Sequence, residues 1–136
     1  MSLEEVEKAY IAGIIDGEGT ITLTRHHRNE TPAPNVSISN NDLTLLHWIK
    51  RKVGGTIITK GKKKQHHKES YTWHLRFDKA IGLLNEIRDY LIIKRQHADL
   101  IIAKYKSVTH RTGKYTPEML KKKAELVAEI RRLNQR

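Results

Sequence analysis

The stretch from Ala9 to Gly19 reads AYIAGIIDGEG, and two stripes at helical spacing run through the segment around it. Leu3, Val6, Tyr10 and Ile14, flanked by Ile11 and Ile15, make a broad apolar face. Ala9, Ala12, Gly13, Asp16 and Gly17 line a neighbouring face built almost wholly from small side chains. Small residues at these steps let another helix approach backbone to backbone. Leu3–Gly17 is therefore expected to be a helix, capped by Ser2 and favoured by Glu4 and Glu5 at its positive end. Gly17-Glu18-Gly19 must stop it, because two glycines around one acid weaken a helix and permit a sharp exit.

Glu18 then stands where that close-packed stretch ends, beside carbonyls that can face a ligand. Mg²⁺ usually takes only one or two protein carboxylates, with carbonyl, water and substrate phosphate oxygens completing its shell. If the neighbouring helix belongs to a second copy of the chain, a two-fold axis brings two Glu18 side chains together. One motif would thus supply a two-carboxylate site suited to attack of water on a phosphodiester.

Beyond Gly19 the period changes. Thr20–Thr24 alternates strictly, with Ile21 and Leu23 on one face, and reads as a strand continuing through Arg25–Arg28. Thr31-Pro-Ala-Pro34 breaks it, and Asn35–Ser39 alternates again. Asn40-Asn41-Asp42 forms a turn and cap before a helix over Leu43–Val53, ended by Gly54-Gly55. Strands are expected at Thr56–Lys60 and Tyr71–Phe77, the latter with Tyr71, Trp73, Leu75 and Phe77 on its apolar side. Helices follow at about 79–90 and 93–107, then a loop containing Gly113. A last helix at 117–134 has Thr116 as cap and Pro117 in its first turn. The reading is one α+β domain over 1–136, with its core in about 3–107. It is ordered αββαββα, a four-stranded antiparallel sheet with helices on one face.

The opposite sheet face carries Thr22, Thr24, His26, Arg28, Asn35, Ser37, Lys60, Thr72, His74 and Arg76, with no carboxylate among them. Lys and Arg number 26 against 15 Asp and Glu, a formal net charge of +11, which points to a polyanionic partner. Thr, Ser, Asn, His and Arg suit base edges in the major groove, and the lysines of Lys60–Lys68 suit phosphate. The chain has no Cys, which excludes disulfides and thiolate metal sites. No run approaches a membrane span, and the acidic start MSLEEVEKAY does not read as a secretory leader. Adjacent histidines (His26-His27, His66-His67) point apart in extended chain and lack a carboxylate at ligand spacing, so they do not read as zinc sites. Trp48 and Trp73 read as core.

Ile11–Gly19 (IAGIIDGEG) resembles the LAGLIDADG motif, and the chain is similar to homing endonucleases of that family over nearly its whole length. Tyr71-x-Trp73-x-Leu75 and Leu91-x-x-Lys94 with Ala98 resemble the family's later landmarks. The resemblance implies a homodimer joined through the motif helices at Ala9, Ala12, Gly13 and Asp16. Its two saddle-shaped sheets would straddle near-palindromic double-stranded DNA. It implies Mg²⁺-dependent cleavage leaving 3′ overhangs, a site that Mn²⁺ or Ca²⁺ can also occupy, and an intron-encoded origin. Glu18 matches the metal-ligating acid, Gly17 the assisting carbonyl, and Asp16 an acid that braces the helix end. Asn40 matches a residue, often Gln, that orients water, and Lys94 a basic residue near the scissile phosphate, with Arg95 or Gln96 in the same network. The alternative on this scaffold is a non-cutting DNA-binding regulator or an RNA-splicing maturase, the latter with RNA as partner. With no secretion or transit signal, the expected compartment is a prokaryotic cytoplasm or an organelle.

Overall fold

The computed structural model describes residues 2–60, 69–110 and 114–135, Lys60 by its backbone alone. The Lys-rich stretch after Lys60 and the loop glycine Gly113 lie outside the described residues. Five helices and four strands follow in the order α1 (Glu5–Glu18), β1 (Gly19–Thr24), β2 (Ala33–Asn40), α2 (Leu43–Val53), β3 (Thr56–Lys60), β4 (Ser70–Arg76), α3 (Phe77–Ile87), α4 (Arg95–Lys104) and α5 (Pro117–Asn134). The four strands form one antiparallel sheet in the order β1-β2-β4-β3. No described helix is long and apolar enough to cross a membrane.

Strand alternation decides which layer each side chain joins. Ile21 pairs with Val36 and Val36 with Leu75, while Ile38 pairs with Trp73 and Trp73 with Ile57. These apolar rows meet Ile11 and Ile15 of α1, Leu46 and Ile49 of α2, and Leu83, Leu84 and Ile87 of α3 in one cluster. Trp73 is fully buried and donates its indole N–H to the Gly54 carbonyl at 2.8 Å. Gly55 has φ +96°, and a Cβ there would meet the Trp73 indole at 2.5 Å, so only glycine fits. Truncating Trp73 to Ala is expected to cost about 3–5 kcal/mol. Trp48 is only partly buried and meets Tyr10 edge-on at 5.2 Å.

Several local expectations are corrected. The cap of α1 is Glu4 with Glu7 in a reciprocal capping box, rather than Ser2. β1 ends at Thr24 because its partner β2 already begins at Ala33; Arg25–Arg28 belong to the connecting loop. β2 takes in Pro34, which lies beyond the β4 ladder, where its missing N–H leaves no gap. Phe77 leaves β4 and opens α3 with φ 59°, a left-handed backbone that costs a bulky residue about 1–3 kcal/mol.

Candidate active site and nucleic-acid interface

α1 runs directly into β1, and Gly19 at the junction permits the close contact. A Cβ there would lie 2.8 Å from the Ile15 Cα and 3.1 Å from the Ser37 carbonyl oxygen. This junction leaves Glu18 exposed at the helix end. Asn40, the last residue of β2, donates its Nδ2 to Glu18 Oε2 at 3.2 Å. Its own Oδ1 accepts the Asp42 backbone N–H at 2.8 Å, which turns the amide so that Nδ2 faces Glu18. Asp42 in turn caps α2 by accepting the Thr44 N–H at 2.8 Å, and those Thr44 hydrogen bonds hold its carboxyl below the usual range. The cap of α2 therefore sets the orientation of the group that touches Glu18.

Asp16 has a different task. Its Oδ2 accepts the backbone N–H groups of Ile92 and Ile93 at 2.7 and 3.3 Å, and its Oδ1 that of Lys94 at 2.9 Å. The carboxylate gathers three amides just ahead of α4, where helix geometry leaves N–H groups without partners. Lys94 Nζ donates to the Asp16 carbonyl oxygen at 2.7 Å, capping the other helix end. Asp16 and Lys94 also line a cleft of about 320 Å³ that reaches Thr20 on the polar face of the sheet. Arg95 turns instead toward Asp89 and Asp99, at 3.5 and 3.8 Å.

Of the two motif acids, Asp16 is engaged by the protein and Glu18 is left with one amide donor. Among the described residues no group of three His, Asp or Glu side chains is arranged to hold a metal. One copy thus offers a single available carboxylate. The Gly17 carbonyl beside it belongs to the last helical turn, where carbonyls have no intrahelical partner. That donor set fits Mg²⁺, which binds few protein ligands and completes its shell with water and phosphate.

The register puts the anticipated sheet residues on a common face. Thr22 pairs with Asn35 and Asn35 with Arg76; Ser37 pairs with His74; Ser39 pairs with Thr72, their hydroxyls 2.8 Å apart. Thr24 ends β1 opposite Ala33, and Lys60 ends β3 opposite Ser70. Thr72 and His74 are more enclosed than an open face would leave them, at 8% exposure each. His26 and Arg28 sit in the β1–β2 loop; Arg28 is exposed, whereas His26 folds over Phe77 with ring centres 4.8 Å apart. Burial, then the nearby Arg76 charge, holds both His26 and His74 below the ordinary imidazole value. His26 Nε2, Asn35 Oδ1 and His74 Nδ1 are buried polar atoms without a hydrogen-bond partner. Such atoms carry a desolvation cost until a ligand group pairs with them.

The α1 faces need correction. Ile11, Ala12 and Ile15 form its core face, so Ala12, fully buried, is not on an exposed seam. Val6 and Tyr10, expected in the core, are 71% and 55% exposed. With Ala9, Gly13 and Gly17 they make one outward stripe. A Cβ on Gly13 or Gly17 would meet nothing within 4 Å, so packing inside this chain does not require either glycine. Ile92 and Ile93, tied to Asp16, add exposed apolar surface that sequence spacing did not single out. The steps of four, three and four from Val6 through Tyr10, Gly13 and Gly17 were the signal available for the rest.

No protein-family model and no curated protein matches the chain. Solved structures do. The homing endonuclease I-CvuI in complex with its target superposes with a TM-score of 0.77 at 19% identity, over 96% of this chain and 83% of that one. The archaeal intron-encoded homing endonuclease I-Vdi141I complexed with DNA gives 0.65 at 24%, over 96% and 86%. The LAGLIDADG homing endonuclease I-GzeII in complex with its DNA target gives 0.64 at 22%, over 96% of this chain but only 44% of that one. The fold is that of the LAGLIDADG homing endonucleases. Within the LAGLIDADG fold, the motif Ile11–Gly19 is the second half of α1 and its exit, with Glu18 at its tip and Asp16 bracing the approach of α4.

Proposed function

We propose that the chain is a site-specific double-strand DNA endonuclease. It acts as a homodimer on a long, near-palindromic site and hydrolyses phosphodiesters with Mg²⁺, leaving 3′ overhangs. The observation that carries this reading is the division between the two motif acids. Asp16 holds three backbone amides, while Glu18 stands exposed with a single amide donor, next to an acid-free sheet face. A purely structural pair of acids would both be engaged.

Glu18 and the Gly17 carbonyl would hold Mg²⁺, which would supply Lewis-acid stabilisation of phosphate oxygen and a more acidic water. Asn40 orients the Glu18 carboxylate and offers its amide to water. Lys94, anchored on the Asp16 carbonyl, places a positive charge at the end of α1 where negative charge grows on the phosphate. The unpartnered atoms of His26, Asn35 and His74, with Arg76, supply base-edge partners.

The dimer reading rests on the outward stripe of α1, whose glycines leave room that this chain does not fill. It also agrees with the chain spanning 44% of I-GzeII. Two copies related by a two-fold axis would bring both Glu18 residues to one DNA segment and would read a near-palindrome. The test is cleavage of a plasmid library carrying randomised sites, with Mg²⁺ or EDTA. Linear product only with metal, and none from Glu18→Gln, is expected. A wild-type protein that binds selected sites but never nicks them with any divalent metal overturns the nuclease reading.

A further inference from the structure

α5 reaches the cleft beside Asp16 and Lys94 only with Leu133 and Asn134 at its C-terminal end, and it holds the only lysine or arginine that is buried among the described residues. Lys123 is 2% exposed. Its Nζ donates to Thr31 Oγ1 at 2.5 Å and to the Tyr115 hydroxyl at 3.1 Å, and lies 5.0 Å and 5.2 Å from the ring centres of Tyr105 and Tyr115. No carboxylate among the described residues pairs with it. Burial opposes ionisation of Tyr115, but hydrogen bonds from Thr31 and Lys123 outweigh it and hold the phenol below its ordinary value. Hydroxyls and ring faces soften the desolvation of an ammonium without supplying the opposite charge.

The wall that contains Lys123 and Thr31 faces a cleft of about 500 Å³ between the β1–β2 loop and α5. Arg25 and Arg131 also line it, with Thr24 at its rim. Three lining residues are cationic and none is acidic. Neither arginine forms an ion pair among the described residues. Thr24 ends β1, which is an edge strand of the sheet, and by alternation it shares the polar face with Thr22. A concave site with two exposed arginines, a lysine buried in its wall and no acidic lining residue is complementary to a tetrahedral oxyanion.

We propose that this cleft is a phosphate-binding site, separate from Glu18, which takes a phosphodiester group of DNA running past the outer edge of β1. The DNA half of the proposal rests on the reading given above; the phosphate half does not. Two measurements separate them. Thermal unfolding is followed in inorganic phosphate and in chloride at equal ionic strength. Affinity for a random-sequence duplex is then measured as a function of salt. Wild type should be stabilised by phosphate beyond chloride, and Lys123→Met should abolish that difference.

Arg25→Gln and Arg131→Gln, at exposed positions that keep the fold, should weaken the phosphate effect. Each should also make the salt slope shallower by about one unit, whereas Lys121→Gln on the outer side of α5 should not. Absence of a phosphate effect in wild type overturns the site. A phosphate effect with unchanged slopes, or slopes that fall equally for Lys121→Gln, overturns the assignment to DNA and leaves free phosphate as the ligand. If wild type fails to bind duplex at all, the DNA reading falls while the phosphate comparison still decides the cleft.

Discussion

Asp16 and Lys94 are joined twice: the Lys94 backbone N–H reaches Asp16 Oδ1 at 2.9 Å, and its Nζ reaches the Asp16 carbonyl oxygen at 2.7 Å. The two contacts separate on mutation. Asp16→Ala strips three amides of their acceptor and should destabilise the fold by about 2 kcal/mol in urea unfolding, with cleavage falling as Lys94 loses its place. Lys94→Met keeps the amide contacts, so it should cost no more than about 1 kcal/mol while cleavage still drops. Equal stability losses in the two variants would remove the distinction drawn between brace and charge.

Glu18 and Asn40 form the second pair, at 3.2 Å. Glu18→Gln should leave no detectable cutting yet keep DNA affinity in a gel-shift assay, because the sheet face is untouched. Asn40→Ala should reduce cleavage by about 10–100-fold if, as proposed, it positions a metal ligand. Part of any stability loss in Asn40→Ala will come from the Asp42 contact, so cleavage is to be read on protein that circular dichroism shows to be folded. Loss of DNA binding by Glu18→Gln would reassign Glu18 to structure.

The element order was legible because period two and period 3.6 alternate cleanly along the chain; α2, β3 and α5 begin and end where caps, glycines and Pro117 place them. The polar sheet face followed from alternation alone and survives in the register for its strand residues, whereas His26 and Arg28, expected on it, fall in the β1–β2 loop. The faces of α1 were not legible, since Val6 and Tyr10 are as apolar as Ile11 and Ile15, and hydrophobicity does not say which stripe meets the sheet. Nor was the Asp16 clasp, which joins residues 76 to 78 positions apart. Phe77 reads as a strand residue by alternation, and only its packing on His26 accompanies the left-handed turn that starts α3. The proximity of Glu18 to Asn40 had no signal beyond the family resemblance.

The outward stripe of α1 gives a prediction that separates assembly from folding. Gly13 is exposed and a Cβ on it would contact nothing within 4 Å. Gly13→Leu should therefore leave the fold at least as stable, with up to about 1 kcal/mol gained from helix propensity. In sedimentation the same variant should run as a monomer and fail to cut, because backbones could no longer touch across the proposed seam. A Gly13→Leu protein that sediments with wild type as a dimer would place the interface elsewhere.

His26 and His74 give the pH dependence. Both are held below the ordinary imidazole value of 6.5, by burial first and then by Arg76. Around His26, Glu30 pulls the other way and His74 adds to the lowering. An unfolded chain therefore binds more protons than the folded one as pH falls from above 6.5 toward the depressed folded values. Stability of the unliganded protein should be complete above 6.5 and decline through that window, reaching its floor below the folded values. DNA acts in the opposite direction, since phosphate and base acceptors favour the protonated rings. Binding should therefore tighten as pH drops below about 6.5, with uptake of at most about one proton per histidine. Measured by fluorescence anisotropy against pH, the double variant His26→Gln, His74→Gln should flatten this rise. An unchanged pH profile in the double variant would mean that neither ring meets the DNA in its charged form.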